Sequence, residues 1–413
     1  MAEPAAEAAP ARRLPGFLSA FGFPSYRRLW IGAFLSSVGT WTQDVALNWL
    51  IHVRFLDPRY LGYRSFASDA PLLAFMLLGG AAADRIDRRT ILITSQVLQM
   101  SFAATLGVLY ATGHLGVVPI IALAFLTGLA QSQSAPTYQA VLTTLVPPAQ
   151  IQSAVALNSL QFNLSRAIGP VIAGLLLVHL GTGWCFAANA LSFLAVIAAL
   201  WSIAIPSPAS GRTQSLRASL LAGLGHVRGH GLLGPLVGLA FVSSFLAYPM
   251  ITYLPVLAGD VLKSGSAGYS QLLSSYGVGA IAGALVTAQR GRVPGRGGVL
   301  LRGFAICGVT STIGVLSHWQ PLSAAMFLLS GYQLVCAFSI LNSLVQENAP
   351  DELRGRIVSI YGVAFRGGMP LGSLVAGFLV RSFGAPPVLA SFAIGLTLLA
   401  AGLWLRNGRV RAL

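Results

Sequence analysis

The chain has 413 residues, of which 55% are hydrophobic and only 9% are charged. Soluble domains carry about 25% charged residues, so this composition argues against a soluble globular protein and indicates an α-helical membrane protein. The formal net charge is +15, and the positions of the basic residues point to membrane orientation, not to a nucleic-acid partner. Cys185, Cys307 and Cys336 are scattered among apolar segments without metal-ligand spacing. We therefore expect no metal, no cofactor and no disulfide framework.

A flexible cytoplasmic tail is predicted at residues 1–26, which are rich in Ala and Pro and contain no long apolar segment. Twelve apolar segments follow, each long enough to cross about 30 Å of hydrocarbon as a helix of about 20 residues. They lie near residues 29–53, 62–83, 90–111, 117–140, 154–178, 184–205, 232–256, 268–289, 298–317, 321–343, 356–380 and 385–405. A second cytoplasmic tail is predicted at residues 406–413.

The predicted fold is all-α, with twelve transmembrane helices in two six-helix bundles at residues 27–205 and 232–405. Residues 206–231 join the two bundles and are the longest hydrophilic interruption in the chain. Their leucines recur at helical spacing, which predicts an amphipathic helix that lies on the membrane surface.

Basic residues are distributed unevenly between the two sides of the predicted membrane. Most arginines lie in the tails and in the loops on the side of the N terminus. The positive-inside rule therefore places both termini in the cytoplasm. The charged residues of the turn at residues 79–89 cannot remain in hydrocarbon, so the turn lies at a membrane face. Its arginines indicate that this face is the cytoplasmic one. The predicted location is the cytoplasmic (inner) membrane, which the chain crosses many times.

Two acidic residues, Asp44 and Asp69, lie well inside predicted membrane spans. A helical rise of about 1.5 Å per residue places them at similar depth in neighbouring antiparallel helices. A carboxylate at this depth is costly unless it is paired, hydrated or protonated. We expect both residues to be proton-coupling acids. The alternative is a structural ion pair with an arginine.

Polar residues share one face of the first predicted span. Ser37, Trp41, Asp44, Asn48 and His52 follow helical spacing. A polar stripe on a membrane helix faces a partner helix or a water-filled path rather than lipid. Similar stripes occur in three other spans: Thr127, Gln131, Ser134 and Tyr138 in the fourth, Ser244, Tyr248 and Thr252 in the seventh, and Tyr332, Cys336, Ser339 and Ser343 in the tenth. The alternative for these residues is packing between helices.

Arg166 and Arg366 are cations inside predicted spans, and each precedes a proline by four residues, Pro170 and Pro370. Their equivalent positions in the fifth and eleventh segments indicate two related, pseudo-symmetric halves. Arg166 is expected either to pair with a buried carboxylate or to bind an anionic group of a substrate. Gly169 and Pro170 predict a bend in the fifth helix and a close approach of another helix.

The chain resembles the major facilitator superfamily over about residues 26–405. Gly80, Asp84, Arg85, Arg88 and Arg89 look like the loop between helices 2 and 3 of that family, with Asp87 where glycine is usual. The runs at residues 158–170 and 350–356 resemble the exporter subgroup that contains the enterobactin exporter and the macrolide-efflux proteins.

This resemblance implies that helices 1, 4, 7 and 10 line a central cavity. It also implies that Asp84 faces the start of helix 11, where Arg354 and Arg356 lie. A carboxylate is favourable at a helix N-terminus. The loop residues and these two arginines are therefore expected to form a conformational latch.

The expected function is secondary active transport. We expect a monomer that exports an amphipathic organic compound, such as a drug or a siderophore, by proton antiport with alternating access. Alternatives are a gradient-driven facilitator or importer, a lysophospholipid flippase on the same fold, or a receptor or scaffold that transports nothing. The chain contains no ATP-binding motif and no evident nucleophile–base pair, so an enzyme is not expected. The residues predicted to contact substrate are Trp41, Asn48, Gln131, Tyr138, Tyr248, Tyr332, Arg166 and Arg366.

Overall fold

The computed structural model describes residues 16–78, 87–205, 225, 227, 229, 231–290, 295–350, 353–406 and 408–413. Within these ranges it contains twelve helices of 20 residues or longer. They are α1 (Pro24–Phe55), α2 (Arg59–Leu78), α3 (Arg88–Ala111), α4 (Val117–Thr144), α5 (Ile151–His179), α6 (Thr182–Trp201), α7 (Leu233–Thr252), α8 (Gly265–Arg290), α9 (Arg296–Leu316), α10 (Gln320–Glu347), α11 (Arg354–Phe383) and α12 (Ala385–Arg406). A short helix, α13 (Gly408–Ala412), follows.

Each apolar segment predicted from the sequence coincides with one of these twelve helices. The all-helical fold and the number of long helices are therefore confirmed for the described residues. Several helices run beyond the predicted segments, as α4 does to Thr144 and α10 to Glu347. Backbone hydrogen bonding continues past the apolar stretch, because the end of a membrane helix does not need to lie in hydrocarbon.

Nine helices of the described part of the chain are long and apolar enough to cross a membrane, namely α3 to α7 and α9 to α12. The other three, α1, α2 and α8, carry charged residues or many small polar residues. Each of these three packs against helices from the apolar set. α1 contacts α5 and α6, α2 contacts α4 and α11, and α8 contacts α5 and α10. Neighbouring helices can therefore shield their polar surfaces from lipid.

Helix contacts repeat between the first half of the chain, α1–α6, and the second half, α7–α12. α1 packs on α5 as α7 packs on α11, and α2 packs on α4 as α8 packs on α10. α3 packs on α4 and α6, and α9 packs on α10 and α12 in the same way. The two most extensive contacts between the halves in the described part of the chain are α2 with α11 and α5 with α8, and they are equivalent by the same relation. This packing agrees with the repeat that Arg166 and Arg366 indicate in the sequence.

Glycines make the equivalent contacts close in both halves. A Cβ atom on Gly169 of α5 would lie 2.4 Å from the Cβ of Trp41 on α1. A Cβ atom on Gly368 of α11 would lie 2.5 Å from the backbone oxygen of Phe241 on α7. Only glycine allows these backbones to approach so closely. α5 continues as one helix through Pro170.

The structure differs from the predicted tail at residues 16–26. Gly16–Gly22 form a 3-10 helix, and α1 begins immediately after it. Ala20 and Tyr26 are fully buried, and the Tyr26 hydroxyl donates a hydrogen bond to the Ala154 backbone oxygen at 2.9 Å. Burial of apolar and aromatic groups against α5 therefore holds this segment in place. The predicted amphipathic helix of the linker lies almost entirely outside the described residues.

The helix bundle has two ends, the N-terminal face and the opposite face. The N-terminal face holds the start of α1, and the opposite face holds the connection between α1 and α2 at residues 56–58. Within each half, consecutive helices are joined by short connections, and the turn that follows α7 lies beside His52 near the end of α1. Odd-numbered helices therefore start at the N-terminal face, and even-numbered helices end there. The π-helical turn Leu257–Val261, which follows α7, lies at the opposite face next to His52 of α1.

Candidate functional site

The polar stripe of α1 meets an arginine of α2. Arg64 forms an ion pair with Asp44, and its Nη1 donates a hydrogen bond to the Asn48 Oδ1 at 2.7 Å. The Asp44 side chain is 34% exposed, and that of Arg64 is 13% exposed. The structure thus contains the ion pair considered as an alternative for Asp44, but the pair is not sealed from solvent.

Arg64 is a site residue that the sequence analysis did not identify. The available signal was the short connection between α1 and α2. In an antiparallel helix pair, residues at similar distances from the connection lie at the same level. Asn48 and Arg64 have such positions on either side of residues 56–58.

Asp69, further along α2, belongs to the same group of charges. Arg366 of α11, Arg64 and Asp44 all act on it electrostatically, with Arg366 the strongest of the three. Asp69 is half-buried and Arg366 is exposed. The structure therefore brings together both predicted acids and one of the two predicted arginines. Asp69 and Arg366 lie in different halves of the chain, so their attraction acts between the halves.

Arg166 on α5 has aromatic neighbours in place of a carboxylate. Its side chain is buried, and the centre of its guanidinium lies 5.5 Å from the Trp41 ring and 4.8 Å from the Tyr276 ring. Among the described residues, no carboxylate lies within ion-pair distance of Arg166. The expected pairing with an aspartate is thus not found there, and cation–π contacts replace it.

Helix α8 contributes residues that the sequence analysis did not assign to the site. Tyr269 and Tyr276 are both fully buried. Tyr269 stacks on Trp49 of α1 with ring centroids 6.2 Å apart, and it also lies beside Asn48. Tyr276 lies near the predicted substrate residue Tyr248 of α7. Two tyrosines seven residues apart in a Gly- and Ser-rich span share one helical face, which was the available signal.

Three further predicted substrate residues lie on α4 and α10. Gln131 is exposed on α4. Tyr138 packs in a hydrophobic cluster of the first half that contains Tyr26, toward the N-terminal face. Tyr332 contributes its backbone to the close contact between α10 and α8, where Gly283 approaches it. The shared helical face of Gln131 and Tyr138 therefore does not place both residues at the central charges.

Ion pairs join the two halves at the opposite face. Asp57 accepts hydrogen bonds from Arg59, with Nη2 to Oδ2 at 2.8 Å, and also pairs with Arg381 of α11. These contacts, above all the hydrogen bonds from Arg59, lower the pKa of Asp57 below its usual value. Nearby, the His52 Nε2 lies 3.4 Å from an oxygen of Asp260. The halves are therefore held together at this face by charged groups.

The predicted latch lies only partly within the described residues, because Gly80, Asp84 and Arg85 fall outside them. The latch therefore stays a prediction. Arg88 and Arg356 are half-buried. Arg89 donates to the Trp201 backbone oxygen at 2.6 Å, and Arg354 donates to the Gln346 backbone oxygen at 3.2 Å. Both of these contacts hold residues within one half of the chain.

Asp87, which stands in this loop where glycine is usual in the resembling family, has a local structural role. It is the N-cap residue of α3, and its carboxylate accepts a hydrogen bond from the Thr90 backbone nitrogen at 3.1 Å. A carboxylate at this position satisfies a free N–H group and interacts favourably with the helix dipole.

In the described part of the chain, no three His, Cys, Asp or Glu residues lie close enough together to hold a metal ion. The central groups are instead two carboxylates, three arginines and five aromatic side chains, Trp41, Trp49, Tyr248, Tyr269 and Tyr276. Such groups can bind and release protons and can contact an amphipathic organic molecule.

Comparison with known proteins identifies the family of the chain. The family profile described as "transmembrane secretion effector" matches residues 16–413. The staphyloferrin A transporter of Staphylococcus aureus is 27% identical over 85% of this chain and 88% of its own length. The multidrug efflux pump Tap of Mycolicibacterium fortuitum is 27% identical over 89% of this chain and 92% of its own.

A crystal structure of the nucleoside transporter NupG shares the fold, with a TM-score of 0.72, 14% identity and coverage of 92% of this chain and 99% of that one. The resemblance to exporters of the major facilitator superfamily is thereby confirmed, and the chain is a transporter-type membrane protein rather than an enzyme. The chain belongs to the transmembrane secretion effector family of the major facilitator superfamily.

Proposed function

We propose that the protein is a secondary active exporter that moves an amphipathic organic compound across the inner membrane in exchange for protons. The observation that carries this proposal is the position of Asp44. It lies in the middle of α1, pairs with Arg64 and keeps a third of its side chain exposed. An acid that is both paired and hydrated can change its protonation state inside a membrane protein.

The proposed proton step uses the charged pairs of the central cluster. Protonation of Asp44 from outside removes the charge that holds Arg64 and favours the return to the inward-facing state. Loss of this proton accompanies loading of the substrate and restores the pair. Asp69 has a related role, because its attraction to Arg366 acts between the two halves. A change in the charge of Asp69 therefore changes the free energy of separating the halves.

We propose twelve spans in two bundles, with α1, α2 and α8 as spans shielded by their neighbours. The N-terminal face is cytoplasmic, both termini lie there, and the protein acts as a monomer. The repeated helix contacts and the uneven distribution of arginines support this topology. The ion pair between Asp57 and Arg381 then closes the outer side. In the outward-facing state, the latch that contains Gly80, Asp84 and Arg85 closes the cytoplasmic side.

The proposed substrate contacts are Trp41, Asn48 and Tyr248, with Arg166 and Arg366 beside them. Trp41, Tyr248 and Arg166 are linked through Tyr276. The printed names of two relatives, a staphyloferrin A transporter and a multidrug efflux pump, support a siderophore-like or drug-like compound.

Reconstituted vesicles test this function. The wild-type protein is placed in liposomes with an acidic interior, and a panel of macrolides, siderophores and cationic dyes is added outside. We expect at least one compound to dissipate the pH gradient, as reported by an internal pH-sensitive dye. The variant Asp44→Asn is expected to lose this coupled proton movement.

Asp87→Asn is the matched control, because asparagine caps a helix about as well as aspartate and Asp87 lies outside the central cluster. It should transport like the wild type. Proton movement that is unchanged in Asp44→Asn would remove Asp44 from the mechanism. No compound-dependent proton movement with any member of the panel would contradict proton antiport.

A further inference from the structure

Arg166 is a buried cation at the boundary between the two halves of the chain. Only 5% of its surface is exposed, and it lies between Trp41 of the first half and Tyr276 of the second. Its Nε has no hydrogen-bond partner among the described residues. The buried Tyr276 hydroxyl faces the same guanidinium and can accept from it as well as donate. The Nε of Arg166 is therefore a buried donor without an acceptor in the described part of the chain.

The aromatic rings compensate Arg166 only in part. A cation–π contact recovers a small share of the free energy that is lost when a guanidinium leaves water. A carboxylate or phosphate with two oxygens suits the guanidinium far better, because it accepts two parallel hydrogen bonds. The arrangement around Arg166 is thus incomplete as a structural ion pair.

The other cations of the central cluster have carboxylates near them. Arg64 pairs with Asp44, and Arg366 is the strongest charge acting on Asp69. Arg166 has no carboxylate of the described residues within ion-pair distance. A bound anion would supply the counter-charge that these residues do not.

The same face of α5 provides an apolar surface next to Arg166. Phe162 lies one turn closer to the N-terminal face, and its ring meets that of Trp41 edge to face at 6.1 Å. Phe162 is 53% exposed although Arg166, on the same helical face, is buried. Exposed apolar surface therefore lies one helical turn from the buried guanidinium, on its N-terminal side.

We infer that Arg166, with the Tyr276 hydroxyl, binds an oxyanion of the transported compound, and that the substrates are therefore amphipathic anions. The apolar part of the molecule lies against Phe162 and Trp41. This inference rests on the proposed export function and adds the substrate class to it. Water-soluble carboxylates and anionic lipid headgroups both carry the required group, and the experiment separates them.

The binding test uses full-length protein in phosphatidylcholine nanodiscs. The probes are dansyl-leucine and its methyl ester, which share one apolar body and differ in one carboxylate. We expect the acid to bind at least about tenfold more tightly, as a hydrogen bond to a charged group implies. Lysophosphatidylglycerol and lysophosphatidylcholine are added as competitors. Selective competition by lysophosphatidylglycerol together with weak binding of dansyl-leucine would assign the oxyanion to a lipid.

The variants Arg166→Gln and Arg166→Lys locate the effect. Arg166→Gln should remove the preference for the acid, and Arg166→Lys should keep part of it. Arg302→Gln is the matched control, because Arg302 also lies over an aromatic ring, 5.8 Å from the centroid of Trp404, but on α9 away from the site. It should retain the full preference.

Thermal unfolding of the ligand-free protein gives a second measurement. If the charge of Arg166 is uncompensated in the ligand-free protein, its removal should not destabilise the fold. Arg166→Gln should then unfold at the same temperature as the wild type or at a higher one. A clearly lower unfolding temperature would indicate a structural role and would contradict the inference. Three results of the binding test would overturn the inference. The first is equal affinity for acid and ester, and the second is a preference for the acid that persists in Arg166→Gln. The third is that neither dansyl-leucine nor lysophosphatidylglycerol binds.

The two proposals fail in different ways. Proton-coupled export of a cationic dye that is unchanged in Arg166→Gln would overturn the anion site and keep the transporter. Binding of the anions without any coupled proton movement would keep the site and overturn proton antiport.

Discussion

Arg64 of α2 forms an ion pair with Asp44 of α1. The pair joins the two helices in the interior of the bundle, and Asn48 accepts a further hydrogen bond from the same guanidinium. The 34% exposure of the Asp44 side chain distinguishes this pair from a dry structural one.

Removal of Arg64 should destabilise the protein. The variant Arg64→Gln leaves Asp44 without its partner, and breaking a fully buried pair costs about 3–5 kcal/mol. Because Asp44 is one-third exposed, we expect a smaller loss of about 1–3 kcal/mol in the free energy of unfolding. The double variant Asp44→Asn/Arg64→Gln should recover part of this loss. A loss in the double variant equal to the sum of the losses in Asp44→Asn and Arg64→Gln, measured by denaturant unfolding in detergent, would show that the pair contributes nothing.

Acidification should weaken the contacts at the opposite face. Hydrogen bonds from Arg59 and the charge of Arg381 hold the pKa of Asp57 below its usual value of about 3.9. Since the folded state has the lower pKa, the stabilisation is complete above the unfolded pKa and is lost as pH falls through the folded pKa. The wild type should therefore exceed Asp57→Asn by about 1 kcal/mol at neutral pH. This difference should shrink below about pH 4, and a difference that grows on acidification would contradict the assignment.

The close helix contact at Gly169 should not tolerate a side chain. A Cβ atom there would lie 2.4 Å from the Cβ of Trp41, so α1 and α5 must separate in Gly169→Ala. Overpacking of this kind costs about 1–3 kcal/mol. Gly402→Ala is the control, since a Cβ on Gly402 meets no atom within 4 Å and alanine favours the helix by up to about 1 kcal/mol. Thermal unfolding should rank Gly402→Ala above Gly169→Ala, and the reverse order would be inconsistent with the packing.

The cap of α3 should depend on the side chain of Asp87. Asp87→Ala removes the acceptor for the Thr90 backbone nitrogen, and loss of such a cap costs about 0.5–2 kcal/mol. Asp87→Asn should be nearly neutral, because asparagine accepts the same hydrogen bond. Unfolding temperatures of the two variants provide the comparison. Similar destabilisation in both would indicate that charge, not capping, is the important property.

The existence and approximate bounds of the twelve helices follow from the sequence. The polarity of hydrocarbon is so low that a spanning helix must be apolar for about 20 residues, and this requirement is visible without any tertiary information. The equivalent positions of Arg166 and Arg366 in the fifth and eleventh segments also indicated the repeat that the helix contacts show. Helix-terminal details were less predictable, because N-terminal residues such as Tyr26 dock through contacts with distant Ala154.

The arrangement of the site depended on tertiary structure. Helical spacing shows which residues of one helix share a face, but the neighbour of that face depends on how all the helices pack. Arg64 and Tyr276 therefore lie in the site although the sequence did not predict them there. Tyr138, which was predicted to contact substrate, packs against the hydrophobic core of the first half. Arg166 illustrates the same limit, because its position inside a span was evident from the sequence. The packing of α1, α5 and α8 decided which groups surround its charge. These groups are aromatic rings, and none of the carboxylates of the described residues is among them.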